Sequence, residues 1–237
     1  MVINCKAYQG VSASYNRVDV KLTVSKGDYL KAIAEAEAEG ETVIAATLAR
    51  WLDVSAPAVT MAVKRLKRDA LIQVGDDGHL MLTPEGRAVA DHILLRHHLV
   101  ERMLTEVFGM PWYRVHEEAE QLEHVVSEDF ERALIKTFGK EGVCPHGNRL
   151  TGDSHRERRQ RGLTPLDEVP PMQRVEVASI FERNRQFMEQ LDGLGIHPGA
   201  PITVGNHRDD GTMELETGMG TVPLLLSAAA NVWVRQL

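Results

Sequence analysis

A chain of 237 residues, 43% apolar and 26% charged, can bury a sizeable core and is expected to divide into two or three domains. Its formal net charge of −7 excludes a surface coated in basic charge but leaves room for a local basic patch. No apolar run approaches the roughly 18 residues of a membrane span, Met1 to Arg17 lacks the basic-then-apolar order of a signal peptide, and the two cysteines, Cys5 and Cys144, make no disulfide framework. A cytoplasmic protein with no membrane partner is the expectation.

Residues 1–20 show no sustained periodicity and read as an N-terminal extension. Ser25-Lys26-Gly27-Asp28 resembles a capping box, with Ser25 as N-cap and Asp28 at the third helical position. The helix it opens carries Tyr29, Leu30, Ile33, Ala34 and Ala36 on its apolar side and stops at Gly40. Thr42 to Val54 reads as a short helix with Leu48, Leu52 and Val54 inward. Ser55 then caps a second helix, Ala56 to Arg68, with Pro57 tolerated in its first turn. That helix has Val59, Val63 and Leu66 on one side and ends in Lys64-Arg65-x-Lys67-Arg68. Two short helices, a tight link and a basic end match a helix-turn-helix; an ordinary helical hairpin with a solvated basic end is the alternative. Leu71 to Val74 and His79 to Leu82 are strand-like around a Gly75-Asp76-Asp77-Gly78 turn. A β-hairpin directly after a recognition-type helix is a wing, which favours DNA.

Thr83 as N-cap and Pro84 at the first position open a long helix to about Phe108, in which His97 and Glu101 share a face at i and i+4. Gly109-Met110-Pro111 breaks it. The stretch His116-Glu117-Glu118-Ala119-Glu120-Gln121-Leu122-Glu123-His124 has helix formers and no Gly or Pro, so it belongs on a helix running to about Ser127. At about 100° per residue, His116, Glu120 and His124 fall on one stripe with Glu123 beside it. Carboxylates packed this closely repel unless a cation, arginines or bulk water lies between them. A solvated acidic helix face would satisfy that; a divalent metal answers it best. A further helix, about Glu128 to Phe138, is followed by a turn at Cys144-Pro145-His146-Gly147-Asn148. Residues 149–170, rich in Arg, Pro and Gly, read as a linker. Beyond it Arg174 to Ile180 alternates like a strand, a short helix spans about Glu182 to Leu194, and strands are expected at Pro201 to Gly205, Thr212 to Glu216, Val222 to Leu226 and Asn231 to Arg235. The fold class is therefore mainly α with a small C-terminal β-barrel.

This order of parts resembles the diphtheria-toxin-repressor family of metal-dependent bacterial transcription regulators, above all its manganese-responsive branch. The resemblance covers residues 20–237 and rests on Arg96-His97-x-x-x-Glu101-Arg102, His116-x-Glu118-Ala119-Glu120-x-x-Glu123-His124, Cys144-Pro145-His146-Gly147-Asn148 and Ser55-x-Pro57-x-Val59. It implies a winged helix-turn-helix over 21–88, a metal-binding and dimerisation domain over 89–148, and an SH3-like, FeoA-like domain over 171–237. By position it implies a primary metal site of Asp28, His97, Glu120, Glu123 and His124. An ancillary site would draw on Glu101 and His116, on Cys144 and His146, and on Glu182 and Gln186 from the C-terminal domain. Where the manganese branch often has a carboxylate one turn after Asp28, this chain has Lys31. The resemblance places Ser55, Pro57, Ala58, Thr60 and Met61 near base edges and Lys64 and Arg65 nearer phosphates.

The function expected is a homodimeric repressor of operator DNA, controlling metal homeostasis and activated by Mn(II), with an Fe(II)-dependent repressor as the alternative. Hard carboxylate ligands with no thiolate in the primary set suit Mn(II). A metallohydrolase is the enzyme reading. The zinc-protease motif H-E-x-x-H is absent, as are a Gly-rich phosphate loop and G-x-S-x-G, and a winged helix has no use in a hydrolase. No small-molecule substrate is expected. A ligand- or redox-sensing regulator with merely solvated acids would bind DNA whether or not chelator is present.

Overall fold

The computed structural model describes residues 24–237. The extension over 1–20 and Cys5 lie outside the described residues. Helix α1 spans Val24–Ala38. It already includes Ser25, so Ser25 is not its N-cap, and the capping-box role for Asp28 lapses with it. Alanine-rich and without Gly after Gly27, α1 is buried throughout residues 29–36, with Leu30, Ala32, Ile33 and Ala36 at 0% exposure. α2 (Ala45–Trp51) and α3 (Ala56–Arg68) follow, joined by a link in which Asp53 takes φ +49. Ser55 caps α3, its Oγ accepting from Ala58 N at 3.4 Å. β1 (Ile72–Val74) and β2 (Leu80–Leu82) form the antiparallel wing, Ile72 opposite Leu82 and Val74 opposite Leu80. α1 to α3, the wing and the first part of α4 share one apolar core built on Leu30, Ile33, Leu48, Val59, Leu66 and Ile93.

α4 (Pro84–Glu106) is the spine of the molecule. Thr83 Oγ1 accepts from Gly86 N at 3.0 Å and donates to Ala70 O at 2.8 Å, tying the helix start to the wing. A Cβ at Gly86 would lie 1.9 Å from Leu71 O, so only glycine allows this approach. The spine leaves the first core at Leu94 and enters a second one, with Leu95, Leu99, Val100, Leu104, Val115, Ala119 and Leu134. α5 (Val115–Leu122) is shorter than the sequence suggests. Val125 N bonds Leu122 O at 3.0 Å, and Ser127 has already turned extended to cap α6 (Glu128–Phe138). Glu123 is therefore the C-cap of α5, and His124 hangs from the turn beyond it.

Residues 149–170, expected as an open linker, are built into the structure. They hold α7 (His155–Gln160), capped by a Ser154/Glu157 capping box, and β3 (Thr164–Pro165). The reason is a buried guanidinium: Arg158 bonds Glu39 Oε1, in the turn just after α1, at 2.7 Å, reaches Asp153 Oδ1 at 3.4 Å and lies over the Trp233 ring. The C-terminal part is β4 (Arg174–Ile180), α8 (Arg185–Gly193), β5 (Pro201–His207), β6 (Thr212–Thr217), β7 (Gly220–Leu225), α9 (Leu226–Ala229) and β8 (Val232–Gln236). Its sheet is antiparallel in the order β3-β8-β4-β5-β6-β7. No pairing joins β7 to β3 among the described residues, so a six-stranded antiparallel sheet is observed where a barrel was expected. It encloses a third core around Val177, Ile196, Val204, Met213 and Val234. No helix among the described residues is long and apolar enough to cross a membrane.

Candidate metal centre

The centre forms where α1, α4, α5 and the approach to α8 meet. α4 contributes His97, His98 and Glu101, all fully buried or nearly so. At the helical repeat, Glu101 shares a side of α4 with His97 (i+4) and His98 (i+3); its Oε1 meets His97 Nε2, while His98 turns to Glu182. α5 presents His116 and Glu120 on one stripe, and its end swings Glu123 inward while His124 stays exposed. Arg96 fixes that end: its guanidinium bonds Glu131 Oε2 of α6 at 2.7 and 2.9 Å and Glu123 O at 3.4 Å.

Two clusters result, sharing His97. The first gathers Asp28, Glu120, Glu123 and His124. His124 Nε2 lies 3.2 Å from Asp28 Oδ1 and 3.7 Å from Glu123 Oε1. His97 Nδ1 donates to Glu123 Oε2 at 2.6 Å. Lys31 enters the same space, donating to Glu120 Oε1 at 3.1 Å and to both Glu123 oxygens at 2.9 and 3.0 Å. The second cluster centres on Glu101. Its Oε1 lies 3.0 Å from His97 Nε2 and 3.2 Å from His116 Nδ1, and those two nitrogens are 3.0 Å apart. His146 Nδ1 is 3.3 Å from Glu101 Oε2 and 3.4 Å from Glu182 Oε2. His98 Nε2 lies 3.2 Å from Glu182 Oε1, and Cys144 Sγ is 3.5 Å from Glu182 Oε2.

Backbone placement explains the second cluster. The Cys144–Asn148 turn is seated on β4 by Ile180 N bonding His146 O at 2.9 Å. Gly147 has φ +84, and a Cβ there would meet Ala178 O at 1.9 Å, so glycine is required for the turn to dock. Asn148 Nδ2 donates to Glu182 Oε2 at 2.7 Å and to Ile180 O at 3.1 Å. Glu182 does not stand on a helix, as the sequence suggested. Asn184 caps α8, accepting from Phe187 N at 2.9 Å, so Glu182 lies in the extended approach and reaches inward. Gln186 stands on α8 itself, is exposed, and lines a separate groove with Asn184, Phe187 and Asn231. It is not brought to the cluster.

The electrostatics are those of a buried site that wants a cation. Burial raises the Glu101 carboxyl, but His146, His97 and His116 reverse this and hold it well below the usual carboxylate range. Burial and Glu101 likewise push Glu182 up, and His98 and His146 bring it well below that range. Burial opposes charge on His97, as does Lys31, yet Glu101 and Glu123 raise its pKa to about 9. Glu120 is desolvated, and Lys31, His116 and Arg183 still lower it to about 2. Burial and the nearby carboxylates of Glu182 and Glu101 push the Cys144 thiol up. Without their protons the imidazoles would leave Glu101 and Glu182 as uncompensated buried charge, the situation a divalent ion relieves. The donor set fits one: His146 Nε2 is buried with no hydrogen-bond partner, and two groups, His97/Glu101/His116/Glu182 and His98/Glu101/Cys144/Glu182, each bring four ligand atoms together. Asp28, Glu123 and His124 form a third such group.

Of the residues singled out from sequence, Asp28, His97, Glu120, Glu123 and His124 come together, as do Glu101, His116, Cys144, His146 and Glu182. His98 was missed, although its i+3 spacing to Glu101 was readable. Ser55, Pro57, Ala58, Thr60, Met61, Lys64 and Arg65, the residues expected to face DNA, are all exposed at the start and along α3, away from its buried Val59, Ala62 and Leu66.

Comparison with known proteins agrees with these parts. The family model "Iron dependent repressor, N-terminal DNA binding domain" matches residues 21–80, "Iron dependent repressor, metal binding and dimerisation domain" residues 83–151, and "FeoA domain" residues 164–236. The iron-dependent repressor IdeR of Mycobacterium tuberculosis is 45% identical over 192 residues, covering 74% of this chain and 81% of that one. The diphtheria toxin repressor of Corynebacterium diphtheriae is 31% identical over 218 residues, covering 88% and 96%. A solved manganese-dependent transcriptional repressor in complex with manganese superposes with TM-score 0.78 at 28% identity, over 90% of this chain and 100% of that one. A repressor family leaves no place for the hydrolase reading. The chain belongs to the diphtheria-toxin-repressor family of metal-dependent transcriptional repressors.

Proposed function

We propose that this chain is a cytoplasmic homodimeric repressor that binds operator DNA when Mn(II) loads Asp28, His97, Glu120, Glu123 and His124. The observation that carries the reading is the donor set of that cluster: three carboxylates and two imidazoles with no sulfur, the chemistry that suits Mn(II). Glu101, His116, His98, Cys144, His146 and Glu182 then supply an ancillary site, in which the C-terminal domain takes part through Glu182. Fe(II) is the second reading. Cys144 in the ancillary cluster offers a softer donor, and the curated relatives include proteins named iron-dependent repressors. The exposed apolar residues Val107, Phe108, Leu122, Val125 and Phe130, around the ends of α4 and α5 and the start of α6, are the surface for a second copy. The sheet domain, closed as an SH3-like barrel, tunes the response.

The test is a DNA-binding titration on fragments selected from a random-sequence pool by the metal-loaded protein. Chelator abolishes binding, Mn(II) restores it, Fe(II) under anaerobic conditions restores it second best, and Zn(II) binds tightly but activates less. Binding that resists chelator sinks the metal-dependent reading, and restoration by Fe(II) but not by any concentration of Mn(II) sinks the manganese one. Within the DNA face, Lys64→Ala is expected to weaken binding to all sequences alike and to flatten its salt dependence by about one unit. An unchanged salt slope would remove Lys64 from the phosphate contacts.

A further inference from the structure

We propose that Lys31 is the resident cation of the metal-free site and that an arriving metal drives its ammonium one helical turn along α1, to Glu35. The inference rests on the reading of Glu123 and His97 as metal ligands. Lys31 is 3% exposed, and its Nζ is held by Glu120 and by both oxygens of Glu123. It also lies 3.4 Å from His97 Nδ1. That contact is no hydrogen bond, because His97 Nδ1 spends its proton on Glu123 Oε2 at 2.6 Å. The ammonium thus stands among the same carboxylate and imidazole atoms a divalent ion would use. Two cations cannot share lone pairs this close in a buried pocket, where their repulsion is several times that in water. Metal and ammonium exclude one another.

The structure holds a second seat. Glu35 is four residues on, on the same stripe of α1. Its Oε2 accepts from Arg183 Nη1 at 2.5 Å, while its Oε1 is buried with no hydrogen-bond partner. Moving there keeps the ammonium paired and fills the orphaned acceptor, so displacement avoids leaving a buried charge alone. Arg183, which also bonds Trp51 O and stacks on the Trp51 ring, then shares Glu35 with a second cation. The arrival of metal is in this way felt at α2, the first helix of the DNA-reading pair. A lysine one turn after Asp28 therefore sets the threshold for metal rather than ligating it.

The experiment is Mn(II) binding to the full chain, by competition with a chromophoric chelator, together with the melting temperature of the metal-free protein. Lys31→Met keeps the length and removes the charge. It is expected to raise Mn(II) affinity by about tenfold or more and to lower the metal-free melting temperature, because Glu120 and Glu123 lose their cation. Glu35→Gln is expected to weaken Mn(II) binding, since the displaced ammonium has nowhere charged to go. In the Lys31→Met background Glu35→Gln should change nothing, and that non-additivity is what a merely structural Glu35 would not produce. Equal or weaker Mn(II) affinity in Lys31→Met overturns the proposal. If Lys31→Met fails to fold, an unaltered affinity in Glu35→Gln overturns it. Absence of Mn(II) and Fe(II) binding by the wild-type chain would bring down the metal reading and this inference together, whereas normal wild-type binding with inert variants brings down this inference alone.

Discussion

Glu123→Ala is expected to abolish metal-dependent operator binding and to lower Mn(II) affinity by about a hundredfold or more. Losses of ten- to a hundredfold are typical of groups that merely support a ligand, and Glu123 is placed to be a ligand itself. It is 2% exposed, it is the C-cap of α5, and its two oxygens face His97 and Lys31. No neighbour replaces it: Glu120 points its Oε1 at Lys31 and His116, and Asp28 Oδ1 lies against His124. The same substitution strands Lys31 as a buried ammonium with Glu120 as its remaining bonded carboxylate, so the metal-free protein should melt lower too. Glu118→Ala, on the exposed face of the same helix, is the control and should leave both quantities unchanged. Chelator-sensitive DNA binding that survives Glu123→Ala at wild-type Mn(II) concentrations would show that the essential site lies elsewhere.

Glu101→Ala is expected to cost about 3–5 kcal/mol of folding stability, the range seen when one partner of a buried ion pair is removed. Glu101 is fully buried and faces His97, His116 and His146 at 3.0, 3.2 and 3.3 Å. With the carboxylate gone, these imidazoles become a buried group of like donors. Urea unfolding of the metal-free protein measures the loss, and its pH dependence identifies the cause. His97 and His146 have folded pKa values raised above the unfolded value, so their contribution is complete below about 6.5 and fades as pH rises, through about 9 for His97. Glu101 and Glu182 are lowered, so theirs is complete above about 4.5 and fades in acid. The wild-type chain should therefore be most stable between those limits and weaken toward pH 9, and Glu101→Ala should flatten the alkaline decline. A variant as stable as wild type, or one with an unchanged pH profile, would mean that Glu101 does not organise the second cluster.

Much of this site was written in local spacing. His97 with Glu101, and His116 with Glu120, are i, i+4 pairs, and any helix that forms over them puts each pair on one face. The same holds for Ser55 and Pro57 at the start of α3, where capping chemistry sets the boundary within a residue. Binary patterning likewise located the wing and the strands of the C-terminal sheet, since their alternation is a property of neighbours.

By itself, then, the sequence determined most of the helices and strands, though not α7, β3 or α9, that acid and imidazole share faces on two of the helices, and which face of α3 stays exposed. Only the tertiary structure decided what meets across elements. α5 ends at Leu122 because Ser127 must be extended to cap α6, and that hangs His124 beside Asp28 of α1. Glu182 joins His98, His146 and Cys144, and Gln186 does not, because Asn184 starts α8 between them and Gly147 lets the Cys144–Asn148 turn lie against β4. Residues 149–170 are held by Arg158 reaching Glu39, and the pocket of the first cluster holds Lys31. These contacts join segments far apart in the chain. Their partners are fixed by packing and by the need to pair every buried charge, and no periodicity within one element encodes that.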